Sequence, residues 1–216
     1  MTTPNIPAGK RNKADEESMT EWFMLHQRDV TWAVVGLAII VGGFWYYERS
    51  QSIKAQRAEA AYFQARQAAG GQADSALQKV VTRYEGTNAG TQAALTLAQS
   101  FYDQKKYKEG LEVLKKAESK ASGDFKPSIY VLEAAGHEQL KDFVAASDDY
   151  KLAAQVTRFP YDKAEYQATA ARDLMAAGKF AEAKAIWTDL AKDESGPLAA
   201  EARVRLGELD AKPMKI

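Results

Sequence analysis

The sequence predicts an all-α protein: one N-terminal transmembrane helix followed by an α-solenoid of helix-turn-helix repeats. Three observations predict it. Residues 30–47 are 18 consecutive uncharged residues, held between Arg28 and Asp29 on one side and Glu48 and Arg49 on the other. An aromatic, a small residue three on and a large residue four further on return after 36 and then 37 positions, from Tyr107 to Phe143 to Phe180. From Ala55 onward, apolar residues recur at spacings of 3 and 4, the period of a helix rather than of a strand.

Residues 1–17 mix Pro4, Pro7 and Gly9 with both signs of charge. They have too little to bury and are expected to be a disordered tail. Residues 18–29 are expected to form a juxtamembrane helix. Ser18-Met-Thr-Glu21 has capping-box spacing, and Trp22, Phe23, Met24 and Leu25 suit a helix lying on a membrane surface, or one that is only a lead-in.

The run 30–47 is the transmembrane helix. At 1.5 Å per residue it covers roughly 27 Å, close to the ~30 Å hydrocarbon core of a bilayer. A cleavable signal would have a short basic leader and a small-x-small site directly after the apolar stretch. Here 29 residues of mixed charge precede the run, and Phe44-Trp45-Tyr46-Tyr47 closes it. With Trp32 near the other end, these rings belong at the lipid-water boundary. A buried core helix would carry a polar stripe over such a length, so the run is expected to stay as an anchor. Ala33, Gly36 and Gly43 fall near one face, and Ala38 and Gly42 make a second small-residue pair. Such faces admit a neighbouring helix, although glycine is common in membrane helices in any case. Lys10, Arg11, Lys13 and Arg28 before the span balance Arg49, Lys54, Arg57 and Arg66 after it, so charge alone does not orient the chain.

Lys plus Arg and Asp plus Glu number 29 each, leaving no field of one sign to attract nucleic acid. With no cysteine there is no disulfide framework, thiolate nucleophile or cysteine-held metal. The 169 residues after the span suit one domain.

Residues 48–90 read as a linking helix and a degenerate first hairpin. Ala55, Ala58, Tyr62, Ala65 and Ala69 share one helix face, Ala73, Leu77, Val80 and Tyr84 share the next, and Gly70-Gly71 joins them. Residues 91–192 hold three repeats. Their second helices carry Tyr107, Gly110, Leu114 and Ala117, then Phe143, Ala146, Tyr150 and Ala153, then Phe180, Ala183, Trp187 and Leu190. A period near 34 marks a helical solenoid. The small residue lets the paired helices cross closely, and the aromatic fills the space beside the crossing. Asp142-Phe143 and Gly178-Lys179-Phe180 supply turns, with Pro160 and Pro197 between hairpins. Residues 193–216 are a capping helix and tail, with Leu198, Ala202, Leu206 and Leu209 on one stripe and Glu201, Arg203, Arg205 and Glu208 facing away.

The repeated residues resemble the tetratricopeptide (TPR) pattern over about 91–192. The layout as a whole is similar to the YfgM-like family, ancillary subunits of the bacterial Sec translocon. The stretches that carry the likeness are GLAIIVGGFWYY, AEAAYFQARQAA and RYEGTNAGTQAALTLAQSFYDQKKYKEGLEVLKKA, and with the later repeats it extends over roughly 18–210. The resemblance implies a single-pass protein of the bacterial inner membrane, with its N-terminus cytoplasmic and its repeat domain in the periplasm. Its expected partners are translocon subunits, a periplasmic chaperone or client polypeptides, besides membrane lipid. By analogy with the repeat pattern, the first helices of each pair line a concave, partner-binding wall of Gln92, Leu95, Gln99 and Tyr102, then Val131, Glu138 and Gln139, then Glu165, Ala168 and Arg172.

The residues carry no catalytic constellation. His26 abuts the membrane and His137 sits on the packed face of a repeat helix. Glu16-Glu17 and Asp148-Asp149 are adjacent pairs that point different ways, and Gly70-Gly71 lacks the Lys and Ser/Thr of a phosphate loop. The expectation is therefore a non-enzyme with no cofactor, no metal and no nucleic acid. A different class also fits: a structural accessory subunit of another membrane complex, respiratory or photosynthetic, held through the span and the docked repeat domain.

Overall fold

A computed structural model describes residues 22, 24–68 and 72–211. The tail 1–17, the capping box at Ser18 to Glu21, Phe23, Ala69, the Gly70-Gly71 joint and residues 212–216 lie outside the described residues. Among the described residues there are helices and no strand. The chain divides into two units, Met1–Ser52 and Ile53–Ile216.

Helix α1, Gln27–Gln67, contains the boundary between the units. Asp29 in its first turn and Arg66 in its last both suit the helix dipole. In the N-terminal unit Val34, Leu37, Ile40, Phe44 and Trp45 are all exposed, and none of the most apolar stretch is buried. By length and composition α1 can cross a membrane.

In the unit Ile53–Ile216, the end of α1 is followed by α2 (Gln72–Arg83), α3 (Asn88–Asp103), α4 (Tyr107–Glu118), a 3-10 turn (Gly123–Phe125), α5 (Lys126–Gln139), α6 (Phe143–Val156), α7 (Pro160–Ala176), α8 (Phe180–Lys192) and α9 (Ala199–Asp210). Lys54 Nζ donates to the Glu85 carbonyl (3.0 Å) and Ala65 shares a cluster with Leu77, so α2 runs back beside α1. The N-termini are set locally. The Thr87 hydroxyl accepts from Gly90 N–H (3.0 Å) at α3, Asp142 accepts from Ala145 N–H (3.2 Å) at α6, and prolines occupy the first turns of α5 and α7.

Packing proceeds in chain order, each helix from α2 on against the next, with α3 also touching α5. Among the described residues four clusters fill the interior. One joins the end of α1 to α2, α3 and α4, and the last joins Trp187 to Ala168, Ala171 and Leu174 of α7 and Ala202 of α9. Each is built from neighbouring helices, the economy of a repeat stack. The small residues at the crossings are buried as their positions predict: Gly110, Ala146 and Ala183. The flanking aromatics differ. Tyr107 leans on Tyr102 with ring centroids 5.9 Å apart, whereas Phe180, with Met175 five residues before it, is 56% exposed.

The three hairpins close alike. Lys105, Lys141 and Gly178 all have positive φ, at 61°, 63° and 75°. In each turn this residue's N–H donates three residues back, to Tyr102, Glu138 and Met175, and the next N–H reaches five back, to Phe101, His137 and Leu174. That is the Schellman ending, repeated at 36 and 37 residues. A lysine in the left-handed region is strained by roughly 1 kcal/mol relative to glycine. Lys105→Gly and Lys141→Gly should therefore each raise stability by about 0.5 to 1 kcal/mol, and Gly178→Ala should lower it by a similar amount; denaturant unfolding followed by helical circular dichroism measures both.

Candidate functional site

The exposed side of the first helices is built from polar residues tied to their neighbours. Tyr62 Oη of α1 meets Thr96 Oγ1 of α3 (2.9 Å), and Ser100 Oγ and Gln104 Nε2 both donate to Asp74 of α2, at 2.6 and 2.7 Å. Above this layer Leu95, Thr96, Gln99, Ser100 and Asp103 of α3 and Leu132 of α5 line one shallow cavity of about 510 Å³. Gln99 Nε2 donates to Asp103 Oδ1 (3.1 Å) on its rim. Two of the sequence-predicted residues, Leu95 and Gln99, thus share a surface. Leu132 was missed. It stands nine residues before Lys141, the place Thr96 holds before Lys105, and that register was the signal for it.

The remaining predicted residues are not gathered there. Gln92 and Gln139 are exposed on α3 and α5, and Glu138 is half-buried. Val131 packs against the cluster of Ala134, Ala146, Tyr150 and Ala170. Tyr102 and Ala168 require correction: they are 8% and 0% exposed and belong to the interior. The Tyr102 ring fills the space left by Gly110 of α4 and Gly136 of α5, and its hydroxyl donates to the Leu132 carbonyl (3.1 Å). Ala168 sits at the crossing of α7 with α8 and α9.

Arg172 is committed within the chain. Its Nε and Nη2 grip both carboxylate oxygens of Glu201 on α9, at 3.0 and 2.6 Å, and its Nη1 lies 3.4 Å from Glu165. Its guanidinium also stands over the Trp187 ring, 5.9 Å from the centroid. The hydrogen bonds to Glu201 hold the Arg172 pKa above its ordinary value and the Glu201 carboxyl below its own. Glu201 therefore faces inward, not away as the stripe on α9 implies, because a bidentate partner outweighs one exposed position. Leu198, Ala202, Leu206 and Leu209 pack as that stripe requires.

A second polar group was not read from the sequence. Burial pushes Glu133 of α5 up to about 8, with repulsion from Asp149 and Glu118 adding to it and Lys115 opposing. Burial likewise pushes Asp149 of α6 up to about 7, helped by Asp148, Glu118 and Asp142. Asp173 of α7 rises to about 7 through burial and then Glu138, against the pull of Arg172.

In the N-terminal unit, Ala33, Ala38, Gly42 and Gly43 are exposed and Gly36 partly so. A methyl group added at Gly36, Gly42 or Gly43 would have nothing within 4 Å. His26 stacks on Trp22, centroids 4.8 Å apart. His137, expected on the packed face, is part-exposed, with Nε2 3.7 Å from Asp149 Oδ2. Among the described residues no group of three His, Asp or Glu side chains has the arrangement of a metal site.

Helices paired by recurrent turns, with a small residue at each crossing, define a helical-repeat protein. A family model, the tetratricopeptide repeat-like domain, matches residues 20–133, more than half of the chain, and the chain belongs to that family. Domains of this kind are typically protein-protein interaction modules rather than catalysts. No curated protein matches the chain, and no solved structure does.

Proposed function

We propose that the protein is a membrane-anchored interaction module: residues 30–47 stay in the bilayer, and an α-solenoid over 91–192 binds other proteins. The observation that carries this reading is the contrast along α1. Its large apolar side chains from Trp32 to Tyr47 are exposed, whereas Ala58 and Ala65 are buried. Exposed apolar surface of that extent needs lipid or another protein around it. The wall of Leu95, Gln99 and Leu132, with the exposed Gln92 and Gln139 on the same two helices, is the surface proposed for partners. The YfgM-like layout favours an accessory factor of the bacterial Sec translocon and its periplasmic chaperones, with the N-terminus cytoplasmic.

After alkaline carbonate washing of vesicles, the full chain is expected in the pellet; recovery of the intact chain in the supernatant sinks the anchor. Isolation in mild detergent with mass spectrometry of companions tests the partner. Translocon subunits and variable clients support the first reading.

The open small-residue faces of the span at Gly36, Gly42 and Gly43 favour a second reading, a structural subunit of another membrane complex. Cross-linking from Gly43 to a single stoichiometric neighbour supports it.

A further inference from the structure

Where α5, α6 and α7 meet, three carboxylates sit away from water. Glu133 and Asp173 are 8% and 6% exposed, and the Asp149 side chain is 18% exposed. Among the described residues none has a lysine or arginine at ion-pair distance, although Arg172, next to Asp173, forms two such pairs elsewhere. Asp149 Oδ2 and Asp173 Oδ2 are buried and accept no hydrogen bond. Buried polar atoms are ordinarily partnered, and a buried carboxylate left without a partner is held charged against the full cost of desolvation. The ligand that removes that cost is a proton.

The surroundings point the same way. Glu133 faces Tyr102 of α3, Lys115 and Glu118 of α4, Tyr130 of its own helix and Asp149 of α6. Asp149 faces Glu118 of α4, His137 of α5, and Asp142 and Asp148 at its own end. Asp173 faces Glu138 of α5, Tyr150 of α6 and Arg172 beside it; no titratable side chain of α8 acts on it. Tyr166 of α7 faces Tyr150. Carboxylates outnumber bases around Glu133 and Asp149, and at Asp173 Glu138 opposes the pull of Arg172. A proton placed on the Asp149 carboxyl relieves that repulsion.

We propose that the junction of α5, α6 and α7 is a proton-controlled joint: with protons on its three buried acids the second and third hairpins pack tightly, and on their release the junction loosens while the flanking hairpins stay closed. The folded chain holds these protons to higher pH than the unfolded one does. Their stabilisation is complete below the ordinary carboxylate range near pH 4 and is lost as pH rises through about 7 to 8. This response lies inside the repeat domain and is independent of the partner that the wall takes.

Hydrogen exchange of the full chain in mild detergent, with intrinsic rates divided out, tests it. Between about pH 5.5 and about pH 8.5 the opening equilibrium of α5 to α7 amides should rise by roughly tenfold or more, while α2 and α3 change by less than about twofold. Glu133→Gln with Asp149→Asn and Asp173→Asn, which mimics the three protonated acids, should flatten that rise. Equal protection of α5 to α7 at both ends, a uniform response of all helices, or a rise that persists in the triple amide variant would overturn the proposal. Should the variant fail to fold, the wild-type profile decides alone.

Discussion

Gly136→Ala should destabilise the repeat domain by about 1 to 3 kcal/mol, and Tyr102→Phe should recover a large part of that loss. Tyr102 of α3 lies between Gly110 of α4 and Gly136 of α5. A methyl at Gly136 would overlap the Tyr102 hydroxyl and stand 2.8 Å from Cζ and 2.9 Å from Leu111 Cδ2. A methyl at Gly110 would instead overlap the ring edge at Cε1, 2.8 Å from Cδ1 and 3.1 Å from the Ala98 carbonyl. Phenylalanine removes the hydroxyl and keeps the edge. Tyr102→Phe alone should cost about 1 kcal/mol through its bond to the Leu132 carbonyl, yet combined with Gly136→Ala it should be strongly non-additive. Combined with Gly110→Ala it should rescue nothing. Gly207→Ala in α9 meets open space and should gain about 0.5 to 1 kcal/mol from helix propensity. Denaturant midpoints of the six variants, Gly110→Ala alone included, decide; additive losses in both cycles would show that Tyr102 does not pin the first repeat to the second.

Ala146→Arg is the harsher change. Ala146 is 0% exposed, among Ala134 of α5, Tyr150 of its own helix and Ala170 of α7. The guanidinium would enter a crossing sized for one methyl group. Overpacking alone costs ~1 to 3 kcal/mol, and an incompletely paired buried charge brings the total to about 4 or more. Val144→Arg, two residues away and exposed, should stay within about 0.5 kcal/mol of wild type. Thermal melts of the two variants are the comparison. An unchanged melt for Ala146→Arg would remove α6 from the packed core.

Much of the helical architecture was legible because its determinants are local. The spacing of alanines, the glycine in the turn at 178, the capping Asp142 and the first-turn Pro160 each act within one or two turns of chain. The wall was less legible. Tyr102 and Leu95 sit on the same helix at helical spacing, and only the glycines at 110 and 136, on two other helices, turn Tyr102 inward. Arg172 looks free in sequence, and its partner Glu201 lies 29 residues on. The buried acids follow the same rule. Asp148 and Asp149 were read as adjacent acids pointing different ways, and Asp148 is exposed while Asp149 faces Glu133, a partner on another helix that the sequence did not reveal. Which side of a helix meets water is decided by its neighbours, and single-sequence periodicity gives only the face.

Trp187 has an optical consequence. The other tryptophans, Trp22, Trp32 and Trp45, all precede Ser52, so Trp187 is the one indole of the unit Ile53–Ile216. It is fully enclosed and its Nε1 lacks a partner. Phenylalanine at the other three positions would leave a single emitter in the last hairpin, blue-shifted and shielded from acrylamide quenching while α7, α8 and α9 stay together, and red-shifted as soon as that end of the molecule frays.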